Sequence, residues 1–301
     1  MNEIIFLQSL GNLLTKNGMD ASVLSDDCAH IETPSRDIIA TTDMVIDRTH
    51  FDLSHDPLDL VARKSVCVNL SDLAAAGAKP MGLLVALAIP RSWSQRQSQD
   101  LMTGIVETAS LFDCAILGGD TNSTKGPLTI SITALGFKHW RGTPKRGHAS
   151  HGDLVFVTGE LGGSFESQRH LRFTPRLRES TWLMDHINIH AMMDLSDGLA
   201  SDAKKIAIAS KISIILDKSA TPIHRDLDFR STHRLEHAMC DGEDFELLFT
   251  VSEDEAIRLE AAWPFQTKLT QIGRCERGNS TVFLVDESNH KAELTWTGYE
   301  H

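Results

Sequence analysis

The sequence predicts a two-domain protein of mixed α/β class, and three observations carry that reading. Apolar runs of strand length are interleaved with stretches of helical periodicity along the whole chain, the pattern of sheets covered by helices. A chain of 301 residues exceeds what one hydrophobic core usually serves. Gly142-Thr143-Pro144-Lys145-Arg146-Gly147 then concentrates turn formers mid-chain, which sets the expected domains at residues 1–141 and 142–301.

The elements follow in order. Residues 3–16 place Ile4, Ile5, Leu7, Leu10, Leu13 and Leu14 along a short amphipathic helix, and Asp26-Asp27 sits in a turn. Residues 37–43 read as a strand ending in Thr41, Thr42 and Asp43. Residues 56–77 read as one long helix, with Asp56 as N-cap, Pro57 at the first helical position and Gly77 and Pro80 as the stop. One face of it, Ala62, Ser65, Asn69, Asp72 and Ala76, is small and polar. A carboxylate in the last turns of a helix faces the negative end of the dipole, so Asp72 calls for a cation nearby: a lysine or arginine, or a metal ion.

Residues 82–89 form a continuous apolar run, expected as a strand covered on both faces. A helix at about 95–112 turns Leu101, Ile105, Val106 and Ala109 inward, and residues 114–117 make a short strand leading into Gly118-Gly119-Asp120-Thr121. Alternation at 128–134 marks a half-buried strand. Past the boundary, 154–158 is a strand, 159–164 a glycine turn, and Arg169, Arg172, Arg176 and Arg178 a basic loop or frayed helix. Residues 191–194 form a strand ending in an acid, after which Ser196 or Asp197 caps a helix. Further strands are expected at 212–216, 245–251 and 281–285.

A formal charge of −12 speaks against nucleic acid or an anionic membrane as partner, since both demand basic surfaces. The first residues lack a basic segment followed by an apolar one, and five widely spaced cysteines without a C-x-x-C pair suit a reducing compartment. A cytoplasmic location is the expectation.

The acids are unevenly placed. Asp27, Asp43, Asp120 and Asp194 are expected at strand or turn ends beside Gly, Ser or Thr, while Asp72 and Asp197 share the phrase Leu-Ser-Asp. Any one of them alone reads as a cap or an Asx-turn. Six converging would repel severely unless divalent cations neutralised them, and oxygen-only ligands select hard cations, Mg²⁺ first, with phosphate oxygens completing the shell. An acidic chain can thus bind a polyphosphate through metal. Gly118-Gly119 permits close backbone approach, and the helix beginning near Ser196 offers N–H groups to an anion. The common nucleotide signatures, G-x-x-x-x-G-K-[ST] and G-x-G-x-x-G among them, are absent.

Seven phrases, in order, carry a resemblance: Asp26-Asp27-Cys28-Ala29; Thr41-Thr42-Asp43 with His50-Phe51; residues 69–80; Gly118-Gly119-Asp120-Thr121; Asp194-Leu195-Ser196-Asp197-Gly198-Leu199; Gly242-Glu243-Asp244-Phe245-Glu246-Leu247; and Gly298-Tyr299-Glu300-His301. The chain resembles the thiamine-monophosphate kinases of the aminoimidazole ribonucleotide synthetase-like (PurM-like) superfamily.

The resemblance implies an α+β N-terminal domain whose mixed sheet pairs across a homodimer into a barrel, an α/β C-terminal domain, and ATP near the dimer interface. Carried over position by position, Asp27, Thr41, Thr42, Asp43, Asp72, Asp120, Asp194 and Asp197 would hold Mg²⁺. Gly119, Asp120, Arg146 and Ser196 would contact ATP, and His50, Glu243 and Tyr299 would line the thiamine monophosphate site, Tyr299 offering its face to a cationic ring. Asp197, through metal, and Arg146, as a charge stabiliser, are the residues on which catalysis would depend. The expected reaction is in-line transfer of the γ-phosphoryl group to an already anionic phosphate oxygen, which requires no strong base.

The chain departs from the family pattern at Ser25 and Asp241, each in place of a glycine, at Asp47-Arg48-Thr49, in place of Glu-Gly-Val before the histidine, and at Asn122, which follows Gly-Gly-Asp-Thr. The rival readings are another ATP-using member of the superfamily and a non-catalytic Mg–ATP-binding protein. A reactive cysteine in an N-terminal glycine-rich segment or a cysteine-ended tail would favour the former, and the chain has neither.

Overall fold

The computed structural model describes residues 12, 15–16, 28–31, 33–225, 227 and 232–298. The helix expected at 3–16 lies almost wholly outside the described residues, as do Asp27 and Tyr299.

Strands β1 (Ala29–Ile31), β2 (Ile38–Ile46), β3 (Lys79–Pro90), β4 (Ala115–Thr124) and β5 (Thr129–Phe137) form a mixed sheet in the order β1-β2-β5-β3-β4. All neighbours are antiparallel except β3 and β4. Alternation assigns the faces. Ile39 and Val45 of β2, Leu83, Val85 and Leu87 of β3, and Ile130, Ile132 and Ala134 of β5 turn inward to a core. Helices α1 (Leu58–Ala75) and α2 (Gln95–Leu111) cover that side. The other side stays open, with Met44 52%, Leu84 42% and Leu117 47% exposed.

Helix α1 is buried on nearly every face, because it lies between two sheets. It meets α2, β2 and β5 on one side. On the other it meets α3 (Arg169–Arg172), α4 (Leu177–His186) and β7 (Ile189–Asp194) of the second sheet. Ala62 is small because α2 crosses there: a Cβ on Gly104 would come within 2.8 Å of the Ala62 Cβ.

The second sheet runs β12-β11-β8-β10-β6-β9-β7. It adds β6 (Leu154–Thr158), β8 (Ser213–Asp217), β9 (Leu247–Val251), β10 (Leu269–Glu276), β11 (Val282–Val285) and β12 (Lys291–Glu293). Its central strands are antiparallel, yet both faces are covered. Val155, Val157, Ala191, Met193 and Leu248 pack toward α5 (Leu199–Ser210) and α6 (Arg234–Cys240). The alternate residues Phe156, Met192, Leu247 and Phe249 pack toward α4 and α7 (Glu253–Ala262).

Several expectations are corrected. Asp56 does not cap α1; its carboxylate accepts from the Asp52 N–H at 2.7 Å, and Pro57 holds the cap position. Strand β3 is covered on one face only, and Val106 of α2 is 44% exposed. Strand β4 runs straight through Gly118-Gly119-Asp120-Thr121, and β2 continues to Ile46, so Asp120 and Asp43 are mid-strand and not at strand ends. Neither Ser196 nor Asp197 caps α5, which starts after Gly198 without a side-chain cap. The basic segment contributes two short helices, and α6, α7, β10 and β12 were not anticipated.

Candidate active site

Three polar side chains on α1 organise the region where the sheets meet. Asn69 accepts from the Asp43 N–H at 3.0 Å, and the Thr41 hydroxyl donates to the Asp72 carboxylate at 2.5 Å. One residue earlier, Ser71 donates to Asp194 at 2.5 Å. Successive helical positions lie about 100° apart, so Ser71 and Asp72 address different elements, β7 and β2. Thr42 is not part of this corner. It points to the open side of the sheet and donates to the Ile132 carbonyl at 3.1 Å.

Asp194 ends β7 and is 2% exposed. The loop beyond it carries Ser196 and Asp197, whose carboxylate pairs with Lys205 of α5 at 2.5 Å. Lys205 also reaches the buried Asp202, at 2.9 Å. Burial pushes Asp202 up to about 6, against the pull of Lys205. Burial works against the Lys205 charge too, but Asp202 and Asp197 together hold it above the ordinary lysine range. Asp197 therefore already has a cation within the chain.

The loop 242–246 packs against this one. A Cβ on Gly242, at φ +70°, would come within 2.7 Å of the Ser196 carbonyl, and the Glu243 N–H donates to that carbonyl at 2.7 Å. Glu243 and Phe245 both adopt left-handed backbone, φ +54° and +50°, a conformation that non-glycine residues hold only when their surroundings enforce it. Each acid of the loop has its own base. Glu243 pairs with Lys64 of α1, Asp244 with Arg169 of α3 at 2.9 Å, and Glu246 with Arg176 ahead of α4. Burial pushes Asp244 up to about 7 even so. Phe245 stacks on Phe173 with ring centroids 4.2 Å apart.

Lys64, Arg169 and Arg176 are the residues that sequence reasoning missed. The spacing of the arginines was visible, but their partners lie 75 and 70 residues away in the chain. A lysine on the helix positions that also carry the apolar Val61, Cys67 and Val68 was the one available signal.

Other expected site residues are not gathered. Asp120 is exposed on β4 and accepts from the Asn122 amide at 2.8 Å. It stands three strand spacings from β2, roughly 14 Å. Gly119 is glycine for a reason internal to the sheet, since a Cβ would come within 1.9 Å of the Val85 carbonyl. The Arg146 carbonyl accepts from Ser210 at 2.7 Å, at the end of α5. Ser196 precedes the start of that helix, and 12 helical residues, about 18 Å, intervene. Among the described residues, no three acidic, histidine or cysteine side chains form a group able to hold a metal ion. Residue 298 donates to Ser201 at 2.7 Å, so the chain next to Tyr299 lies over the first turn of α5.

Two of the departures from the family pattern have local explanations. Arg48 holds φ +69°, where glycine is unstrained. Asp241 is right-handed and needs no glycine; it accepts from the Gly163 N–H at 2.8 Å.

Family models match both halves: AIR synthase related protein, N-terminal domain, at residues 25–137, and its C-terminal domain at residues 159–286. The thiamine-monophosphate kinase of Rhodopirellula baltica is 37% identical over 263 residues, covering 85% of this chain and 82% of that one. The Escherichia coli enzyme of that name is 32% identical over 305 residues, covering 92% and 91%. The chain belongs to the thiamine-monophosphate kinase family. A solved structure described as AaThiL complexed with AMPPCP and TMP superposes with a TM-score of 0.82 at 27% identity, covering 96% of this chain and 95% of that one. The HypE–HypF complex, TM-score 0.77 at 18% identity, shares the fold. The architecture is thus the two-part mixed α/β fold of AIR synthase related proteins, and the chain is an enzyme of the kinase class.

Proposed function

We propose that the protein phosphorylates thiamine monophosphate with ATP as donor, giving thiamine diphosphate and ADP. One observation carries the reading beyond family membership: the Ser196 carbonyl accepts from the Glu243 N–H at 2.7 Å, which sets a residue expected at the nucleotide beside one expected at the acceptor. Two ligands held on adjoining loops suit direct in-line transfer, where alignment supplies much of the rate.

The donors at the α1 corner are of the type Mg²⁺ selects, and binding would have to draw their carboxylates together, since among the described residues no three acids form a ligand group as they stand. Thr41, Asp43, Asp72 and Asp194 supply oxygen only, the choice of a hard cation. When bound, the ion would neutralise the charge that builds between two phosphates. Asp27 would join this set, and Asp197 would join it by exchanging Lys205 for metal. Thr42, on the opposite face, supports the strand pairing instead.

A homodimer accounts for two further features. The open side of the first sheet presents Met44, Leu84 and Leu117, which a second copy of the same face would bury. Asp120 and Gly119, on the edge strand β4, would then serve the site of the partner. We place the domain boundary between residues 141 and 142. The five cysteines are free, in keeping with the cytoplasm, and among the described residues no helix is long and apolar enough to cross a membrane.

Incubation with ATP, Mg²⁺ and thiamine monophosphate, followed by chromatography of the products, should yield thiamine diphosphate and ADP in equal amounts. ATP binding with no turnover would favour the non-catalytic alternative.

A further inference from the structure

We propose that Lys64 is a positioning residue for the acceptor site, tying the Glu243 carboxylate and the His50 main chain to one point on α1. The inference rests on the thiamine monophosphate reading above and names the device that would hold that site in shape.

The Lys64 side chain is fully buried, which is rare for lysine and requires its charge to be matched. Its ammonium can make three contacts, and the structure provides three. It donates to the His50 carbonyl at 2.6 Å and to Glu243, and it lies 5.7 Å from the centroid of the Phe165 ring. His50 and Glu243 are 193 positions apart, in loops from different halves of the chain, and Lys64 joins both.

Each tethered group is one that needs fixing. Glu243 sits in left-handed backbone, and its carboxylate could swing away if the loop relaxed. The His50 ring accepts from the Ile46 N–H through Nδ1 at 3.0 Å, which leaves the proton of a neutral ring on Nε2. Holding the main chain of His50 as well sets where that Nε2–H donor points. A buried ion pair is a poor device for stability, because desolvation offsets most of the attraction. It is a good device for fixing a geometry.

The test compares the wild type with Lys64→Met, Lys64→Arg, Glu243→Gln and the Lys64→Met/Glu243→Gln double variant, using steady-state kinetics in both substrates and the affinity for a non-hydrolysable ATP analogue. Lys64→Met should raise KM for thiamine monophosphate roughly tenfold to a hundredfold and leave analogue affinity unchanged. Lys64→Arg, which keeps the charge but not the shape, should raise that KM by a smaller factor. It carries the test if the methionine variant does not fold. In the Glu243→Gln background the Lys64 substitution should add less than it does alone, since the Glu243 contact is already weakened and the His50 tether is what remains to be lost.

An unchanged KM for thiamine monophosphate in a folded Lys64 variant, an equal loss of affinity for both substrates, or full additivity in the double variant would each overturn the proposal. A wild type that makes no thiamine diphosphate would instead sink the acceptor reading itself, and this inference with it.

Discussion

The Ser71 hydroxyl donates to the Asp194 carboxylate at 2.5 Å, joining the last turns of α1 to the end of β7. Both residues are buried, and the bond crosses from the helix that covers the first sheet to an edge strand of the second. Ser180 of α4 donates to the Ala74 carbonyl at 2.5 Å close by, so α1 is pinned at one point to the second sheet and at another to a helix that covers it.

Ser71→Ala leaves a buried carboxylate short of one donor. Hydrogen bonds to charged groups contribute about 1.5–3 kcal/mol, and a loss in that range is expected in denaturant unfolding. A loss below about 0.5 kcal/mol would mean that water replaces the hydroxyl without cost.

Asp197→Asn and Asp120→Asn should each abolish turnover while unfolding cooperatively near the wild-type temperature. If Asp120 serves the partner's site, mixing the two inactive variants rebuilds one intact site in each mixed dimer. Roughly a quarter of wild-type activity should return, since half of the dimers are mixed and half of their sites are intact. No recovery after verified subunit exchange would place both aspartates in the same chain's site.

Burial pushes the His170 imidazole down to about 4, with the Lys64 ammonium adding to the effect. The folded state thus prefers the neutral ring, while the unfolded chain takes up a proton near 6.5. Stability from this source is complete above pH 6.5 and is lost as the pH falls from there toward 4. His170→Gln keeps a donor for the Ser164 carbonyl and removes the titration. Its melting temperature should vary less between pH 6.5 and 4 than that of the wild type, and parallel curves would refute the assignment.

Leu84→Glu sets a charge on the open side of the first sheet, where Leu84 is 42% exposed and its loss costs the monomer little. Light scattering should show the wild type as a dimer and the variant as a monomer with little activity. A wild type of monomer mass would remove the homodimer proposal.

Local pattern determined most of the elements, because side-chain periodicity is set by the backbone itself. The alternation at 128–134 became β5, the long periodic stretch became α1, and the motif phrases identified the family. The elements that escaped, β10 and α6 among them, have short or mixed patterns whose apolar positions are defined only by what packs on them. Which acids meet was decided by tertiary structure alone. Asp72 reaches Thr41 and Asp194 reaches Ser71 because α1 is clamped between two sheets, whereas Asp120 stays apart because β5 and β3 lie between it and β2. The cations that hold Glu243, Asp244 and Glu246 come from α1, α3 and the approach to α4. A charge is matched through space at a few ångströms, and the chain distance between partners carries no trace of it.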